Sequence, residues 1–132
     1  MLRVPLGVVG IISPWNYPLS IPFGEIVMAL MAGNGVMLKV AAATPAVGRA
    51  IEQIVAAGEL PEGLFQHIVG SGSKVATGFF DNGIDKLFFT GSVPAGKTLM
   101  AQAAQTLTPV SLEPVPSTHP TLPANKDTET HE

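Results

Sequence analysis

The sequence contains no cysteine. That excludes a disulfide framework, a thiolate metal site and a cysteine nucleophile within this chain. Charge is scarce, at 13% of residues, and the net balance is −3. No basic surface is available to neutralise phosphates, so a nucleic-acid partner has no electrostatic basis. Histidine occurs at His67, His119 and His131 only. These positions lack metal-ligand spacing, and no metal is expected. No unbroken apolar run approaches the ~20 residues of a membrane-crossing helix, so no membrane partner is expected. Arg3 followed by VPLGVVGII imitates a signal peptide, but Gly and Pro break the run and no small-x-small cleavage site follows. A buried strand accounts for it better, and the expected location is cytoplasmic.

What the chain has in quantity is apolar residues (46%), 14 glycines and 12 prolines. In 132 residues this suits one domain with one core, and it is too apolar for general disorder. The runs GVVGII (7–12), VMLKV (36–40), LFQHIV (64–69), KLFFT (86–90) and TPVSLE (108–113) read as strands. Between them, 19–32, 44–57, 74–81 and 93–106 read as helices. Thr44 is placed to cap the second helix, with Pro45 at its first position. GNG (33–35) and NG (82–83) stop helices, because Gly and Asn accept the left-handed conformation.

Strands alternating with helices predict a Rossmann-like α/β fold: an open parallel sheet of about five strands with helices on both faces. Connections are right-handed, and ligands sit at the carboxyl ends of the strands. From Pro114 the text turns to PVPSTHPTLPANKDTETHE. It has no apolar period and cannot offset its chain entropy, so 114–132 is expected to be a disordered tail behind a domain spanning 1–113.

The stretch Gly91 to Thr98, GSVPAGKT, spells the P-loop pattern G-x-x-x-x-G-K-[ST] between a strand and a helix. Two features oppose a nucleoside triphosphate. Pro94 removes a backbone N–H from the would-be cradle. The sole strand-end carboxylate to hold Mg²⁺ is Glu113, on a short strand that runs into proline. Ser92 reads more naturally as the cap of a helix whose second residue is Pro94. Such a helix still presents its positive end to a phosphate, and that phosphate can belong to a dinucleotide.

PLGVVGIISPWNYPL, ALMAGNGVMLK, DKLFFTGSVPAGKTLM and LTPVSLE, in that order, resemble the nicotinamide-binding domain of the aldehyde dehydrogenase superfamily. The resemblance covers Pro5 to Glu113 and is nearest to the coniferyl-aldehyde and semialdehyde dehydrogenase branch. It implies NAD or NADP as cofactor and oxidation of an aldehyde to a carboxylic acid. A small aldehyde would be the substrate, and the parent enzyme would be oligomeric.

By the same resemblance, Asn16 matches the amide that holds the oxyanion, and Glu113 the general base. Ile12, Ser13 and Trp15 match residues around the nicotinamide half of the cofactor site. Lys39 matches a contact to the adenosine ribose. Gly70 and Gly72 match close backbone approach on the adenine side. Gly91, Ser92 and Gly96 fit the pattern FTGSxxxG, with Ser92 on the pyrophosphate. On residue type alone these stay ambiguous: Asn16 reads first as a turn residue between prolines, Trp15 as a core aromatic, and Lys39 and Glu113 as solvated charges; the family pattern reverses the order for Asn16.

The chain also departs from the family pattern. Ala42 stands where a glutamate often binds the ribose hydroxyls. LEPVPSTHP replaces LELGGKSP. The nucleophilic cysteine belongs to a later catalytic domain. The chain is therefore expected to be a fragment that carries the cofactor-binding part and is inactive alone. Two alternatives stand beside this: a non-catalytic remnant that associates with a full-length relative or does not fold, and, more remotely, a P-loop nucleotide binder through Gly91–Thr98.

Overall fold

Every predicted strand and helix forms. The computed structural model describes residues 4–114. The strands are β1 (Val8–Ile12), β2 (Gly35–Lys39), β3 (Phe65–His67), β4 (Lys86–Gly91) and β5 (Val110–Pro114). The helices are α1 (Ser20–Met31), α2 (Pro45–Ala56), α3 (Gly72–Asp81) and α4 (Val93–Thr106). Pro114 closes β5, and the rest of the expected tail lies outside the described residues, with His119 and His131. Among the described residues no helix is long and apolar enough to cross a membrane.

All four strand pairings are parallel, in the order β3-β2-β1-β4-β5. The chain builds outward from β1 to β3, then returns to the other side of β1. The order therefore reverses between β1 and β4, which is the place where such sheets open for a ligand. β3 is shorter than its apolar run. It has one neighbour, and its register spans only Val36 to Leu38 of β2; Val69 beyond it is exposed.

Side chains alternate between two faces, each with its own core. On one face Ile12, Leu87 and Phe89 pack with Val75, Ala76, Phe79 and Phe80 of α3 and Leu99 and Ala103 of α4. On the other, Val9, Ile11, Val36 and Leu38 pack with Ile26 and Ala29 of α1 and Ile51 of α2. Ile11, Ile26, Leu38, Ile51 and Leu87 are sealed from solvent.

Local chemistry differs from the sequence expectation at two helix ends. Gly33 takes the left-handed conformation after α1, at φ 83°, but Asn34 does not. It is a buried clamp instead: Nδ2 donates to Ala29 O at 3.0 Å, and Oδ1 accepts from Leu6 N at 2.6 Å and Gly7 N at 3.1 Å. The end of α1 is thereby tied to the start of β1. Thr44 does precede α2, but its hydroxyl donates backward to Ala41 O at 3.3 Å and caps no amide. Pro45 alone sets the first turn there, by its fixed φ.

Asp85 closes the amino end of the sheet. Its Oδ2 accepts from Val8 N at 2.7 Å. Gly7, at φ 127°, lies so close that a Cβ would fall onto this carboxylate. Gly7→Ala is expected to cost about 1–2 kcal/mol, from backbone strain and the disturbed hydrogen bond. A lower urea midpoint at unchanged slope would show it.

Candidate functional site

The turn after β1 starts with Ser13, whose N–H donates to Lys39 O at 3.0 Å. This bond holds the carboxyl ends of β1 and β2 together and turns the following residues over the sheet. The result is a cleft of about 430 Å³ at the β1–β4 reversal. Of the sequence-predicted residues, Ile12, Ser13, Trp15, Asn16, Lys39, Gly72, Gly91 and Ser92 all line it. Eight residues from four separate stretches thus meet in one place.

Gly70, Gly96 and Glu113 do not line this cleft. Gly70 is in the turn before α3 and borders a separate depression with Met37, Lys74 and Asn82. Gly96 is buried under α4, where an added Cβ would stand 3.6 Å from Phe89 and 3.7 Å from Leu112. Its small size lets α4 settle on β4 and β5. Glu113 is exposed near the end of β5. Sequence reading missed Phe89 and Thr90 near the end of β4, and Ala41 beside Ala42 in the turn just after β2. Their positions at the ends of strands were the available signal.

Next to the cleft is a second, apolar slot of about 310 Å³ between α3 and α4. Ala76, Ala95 and Leu99 form its walls, and it shares Ile12, Gly72 and Phe89 with the cleft. Ala76 and Ala95 keep the two helices from filling it. A flat apolar group can enter there while a charged group stays in the main cleft.

Four observations bear on what the cleft accepts. Lys39 is its one charged lining residue. It is 6% exposed, its amino group is directed toward the start of α3, 3.9 Å from where a Cβ on Gly72 would sit, and burial holds its pKa below the usual lysine range. Neither α3 nor α4 has an acidic residue in its first turn, so the positive ends of both helix dipoles remain uncompensated near Gly72 and Ser92. Ser92 caps α4, its Oγ accepting from Ala95 N at 3.4 Å. Ser13 Oγ is buried without a hydrogen-bond partner, a cost that a polar ligand would relieve.

Asn16 uses its Oδ1 on Tyr17 N at 3.1 Å, which leaves the NH₂ end as its donor toward a ligand. Among the described residues, no group of three His, Cys, Asp or Glu could hold a metal ion. The P-loop spelling is not a P-loop in three dimensions. Gly91 ends β4, Ser92 is the cap, and 93–106 are already helical. Lys97 therefore stands exposed on a helix, and Thr98 Oγ1 donates to Pro94 O at 3.2 Å. No loop is left to wrap a triphosphate.

The Aldehyde dehydrogenase family profile matches residues 1–115. A probable coniferyl aldehyde dehydrogenase of Pseudomonas aeruginosa is 45% identical over 109 residues, covering 83% of this chain and 22% of the relative. A putative succinate-semialdehyde dehydrogenase [NADP(+)] of Mycolicibacterium smegmatis is 41% identical over 109 residues, covering 83% and 21%. Among solved structures, an NAD-dependent aldehyde dehydrogenase from Sinorhizobium meliloti superposes with a TM-score of 0.82 at 35% identity, covering 86% of this chain and 23% of that one. Betaine aldehyde dehydrogenase from Staphylococcus aureus, in complex with NAD+, gives 0.79 at 33% identity, covering 83% and 22%. The chain spans about a fifth of the length of these relatives, and over that span it belongs to the aldehyde dehydrogenase family.

Proposed function

We propose that this chain is the dinucleotide-binding part of an NAD(P)-dependent aldehyde dehydrogenase, and that the β1–β4 cleft is its cofactor site. The observation that carries the reading is the lining of the cleft. It pairs one buried cation and two uncompensated helix ends with no acidic residue, beside a mostly apolar slot of about 310 Å³. Ser92 and the start of α4 would hold the pyrophosphate, Lys39 a ribose hydroxyl, and Ser13 and Trp15 the nicotinamide half. A bound nicotinamide supplies the hydride acceptor.

The chain's own residues have separate tasks. The Asn16 amide donates to the aldehyde oxygen as negative charge develops on it, which lowers the barrier to attack. Glu113, exposed at the end of β5 and outside this cleft, would take the proton of the attacking thiol or water, as the family resemblance implies. Ile12 lines the floor of the cleft from β1 and Trp15, largely exposed, lines its rim. The nucleophilic thiol must come from elsewhere, because this chain has no cysteine.

Two alanines, Ala41 and Ala42, follow β2 and line the cleft. No carboxylate there repels a 2′-phosphate, so NAD and NADP are both admitted. Calorimetric titration of the full chain with NAD, NADP and Mg-ATP tests this. Both dinucleotides are expected to bind, and ATP is not. Ala42→Glu is expected to weaken NADP about tenfold while sparing NAD, through charge repulsion across an exposed rim. The same preparation should leave NAD unreduced in the presence of aldehyde. ATP binding in place of both dinucleotides would overturn the assignment.

A further inference from the structure

The β1–β4 cleft contains an amine whose chemistry the cofactor reading leaves unused. Lys39 is the sole charged residue in the lining, and it is 6% exposed. Its place follows from register. Lys39 pairs with Ile12 of β1, and Ile12 belongs to the core under α3 and α4. Met37, two residues back on β2, packs against the same core. The Lys39 side chain therefore runs beneath the start of α3. Its Nζ comes to 3.9 Å from the place a Cβ on Gly72 would take. Gly72 lines both the cleft and the apolar slot, so the amine stands where the two meet.

The surroundings give the charged form little support. Among the described residues no carboxylate lies within ion-pair distance of Lys39, and the cleft has no acid in its lining. Glu25 and Glu52 belong to α1 and α2, over the opposite face of the sheet. Asp81 is at the far end of α3, and Asp85 is at the amino end of the sheet, bonded to Val8 N. The two helix ends at the cleft are positive, and neither has an acid in its first turn. A buried ammonium without a partner is costly, and burial lowers the Lys39 pKa from the ordinary lysine value. A desolvated lysine of this kind is a nucleophile toward carbonyl carbon. The other lysines sit differently. Lys74 and Lys97 are exposed on helices, and Lys86 lies at the amino end of β4, 4.8 Å from the centre of the Phe88 ring.

We propose that Lys39 is a covalent capture site for small aldehydes, and that the adduct and a dinucleotide exclude each other. The choice of aldehyde rests on the parent activity proposed above. The Nζ lone pair attacks the carbonyl carbon and a C–N bond forms. One amine proton passes to the oxygen, which gives a carbinolamine. Loss of that oxygen as water leaves the imine. The step needs no oxidant or reductant, and water reverses it. The cleft, at about 430 Å³, admits a small aldehyde. Its alkyl tail can enter the slot lined by Gly72, Ala76 and Leu99, where burial of apolar surface favours it. Exclusion follows because one nitrogen has both tasks. An Nζ that carries an alkyl group is no longer free to hold a ribose hydroxyl. Aldehyde that reaches an empty cleft therefore acts against cofactor binding.

The test is reductive trapping on the full chain. Propanal is added with sodium cyanoborohydride, which fixes an imine as a propylamine, and peptide mass spectrometry reads each lysine. In the folded chain Lys39 should be labelled several-fold faster than Lys74, Lys86 and Lys97. In urea, where the cleft is gone, the four rates should converge. Labelling of Lys39 at or below the rate of the exposed lysines in the folded chain would overturn the capture site, and this readout needs no variant to fold. The second arm repeats the trapping with saturating NAD. Lys39 labelling should slow several-fold while Lys74 is unchanged. Undiminished labelling under NAD that calorimetry shows to be bound would overturn the exclusion. Absence of any dinucleotide binding would overturn the cofactor reading and the exclusion with it, while the labelling rates would still decide the capture site.

Discussion

At pH 8, Glu25→Gln is expected to be more stable than the unsubstituted chain by about 2–3 kcal/mol. Glu25 has its pKa raised from 4.5 to about 7 by burial and by Glu113. In the unfolded chain the carboxyl ionises near its ordinary value, while in the folded chain it keeps its proton until about pH 7. Between those values the folded state binds more protons, so stability falls as pH rises. The favourable contribution is fully present below about 4.5 and is lost above about 7. At about 1.4 kcal/mol per unit, the rise from 4.5 to about 7 is worth at most about 3.5 kcal/mol. Glutamine has the same size and never ionises, so its stability should be flat across this window from this source. At pH 4 the two proteins should match within about 0.5 kcal/mol. Urea denaturation at pH 4, 6 and 8 reads the difference directly. A Glu25→Gln curve parallel to that of the unsubstituted chain at all three values would mean that Glu25 is solvated in the folded protein. Exposed Glu52→Gln serves as the control, with little change expected.

Glu25 also shows where the sequence was hard to read. A lone glutamate in a helix is usually a solvated charge, and the eye passes over it. The informative signal was its company: α1 is apolar on every side, so the charge could not be assigned to a polar face. The strands were legible for the opposite reason. Most are short β-branched or aromatic runs bounded by Gly or Pro, and no helix of that length competes. The cleft was legible because strand order fixes where a parallel sheet opens, so residues just after β1, β2 and β4 had to meet. Gly96 resisted reading because its spacing to Gly91 and Ser92 satisfies two needs alike, ligand approach and helix-on-sheet packing. The structure shows the second, against Phe89 and Leu112. Asn34 was hidden by its neighbour: both residues of a Gly-Asn stop fit a left-handed turn, and only the fold shows which one turns and which one clamps.

Ser92→Asp should weaken dinucleotide binding by about 100-fold and leave the fold intact. Aspartate is as good an N-cap as serine, because its carboxylate accepts from the same amides and suits the positive helix end. The bond that Ser92 Oγ makes to Ala95 N is therefore replaced, and the melting temperature should hold or rise slightly. What changes is the field in the cleft. A fixed anion at the start of α4 cancels the partial positive charge offered to a pyrophosphate. It also places like charge beside it, at about 4 kcal/mol for a 4 Å separation near a protein surface before salt screening. Screening reduces this to about 3 kcal/mol, or two orders of magnitude in Kd. Ser92→Ala separates the two roles, since it removes the cap at about 1 kcal/mol of stability but adds no charge. Binding should then fall far less than with aspartate. Lys97→Ala completes the set, for Lys97 is exposed on α4 and lines neither the cleft nor the apolar slot, so its loss should leave affinity unchanged. The opposite order, with Lys97→Ala damaging and Ser92→Asp harmless, would place the anion on the far side of α4 and refute the cleft as its site.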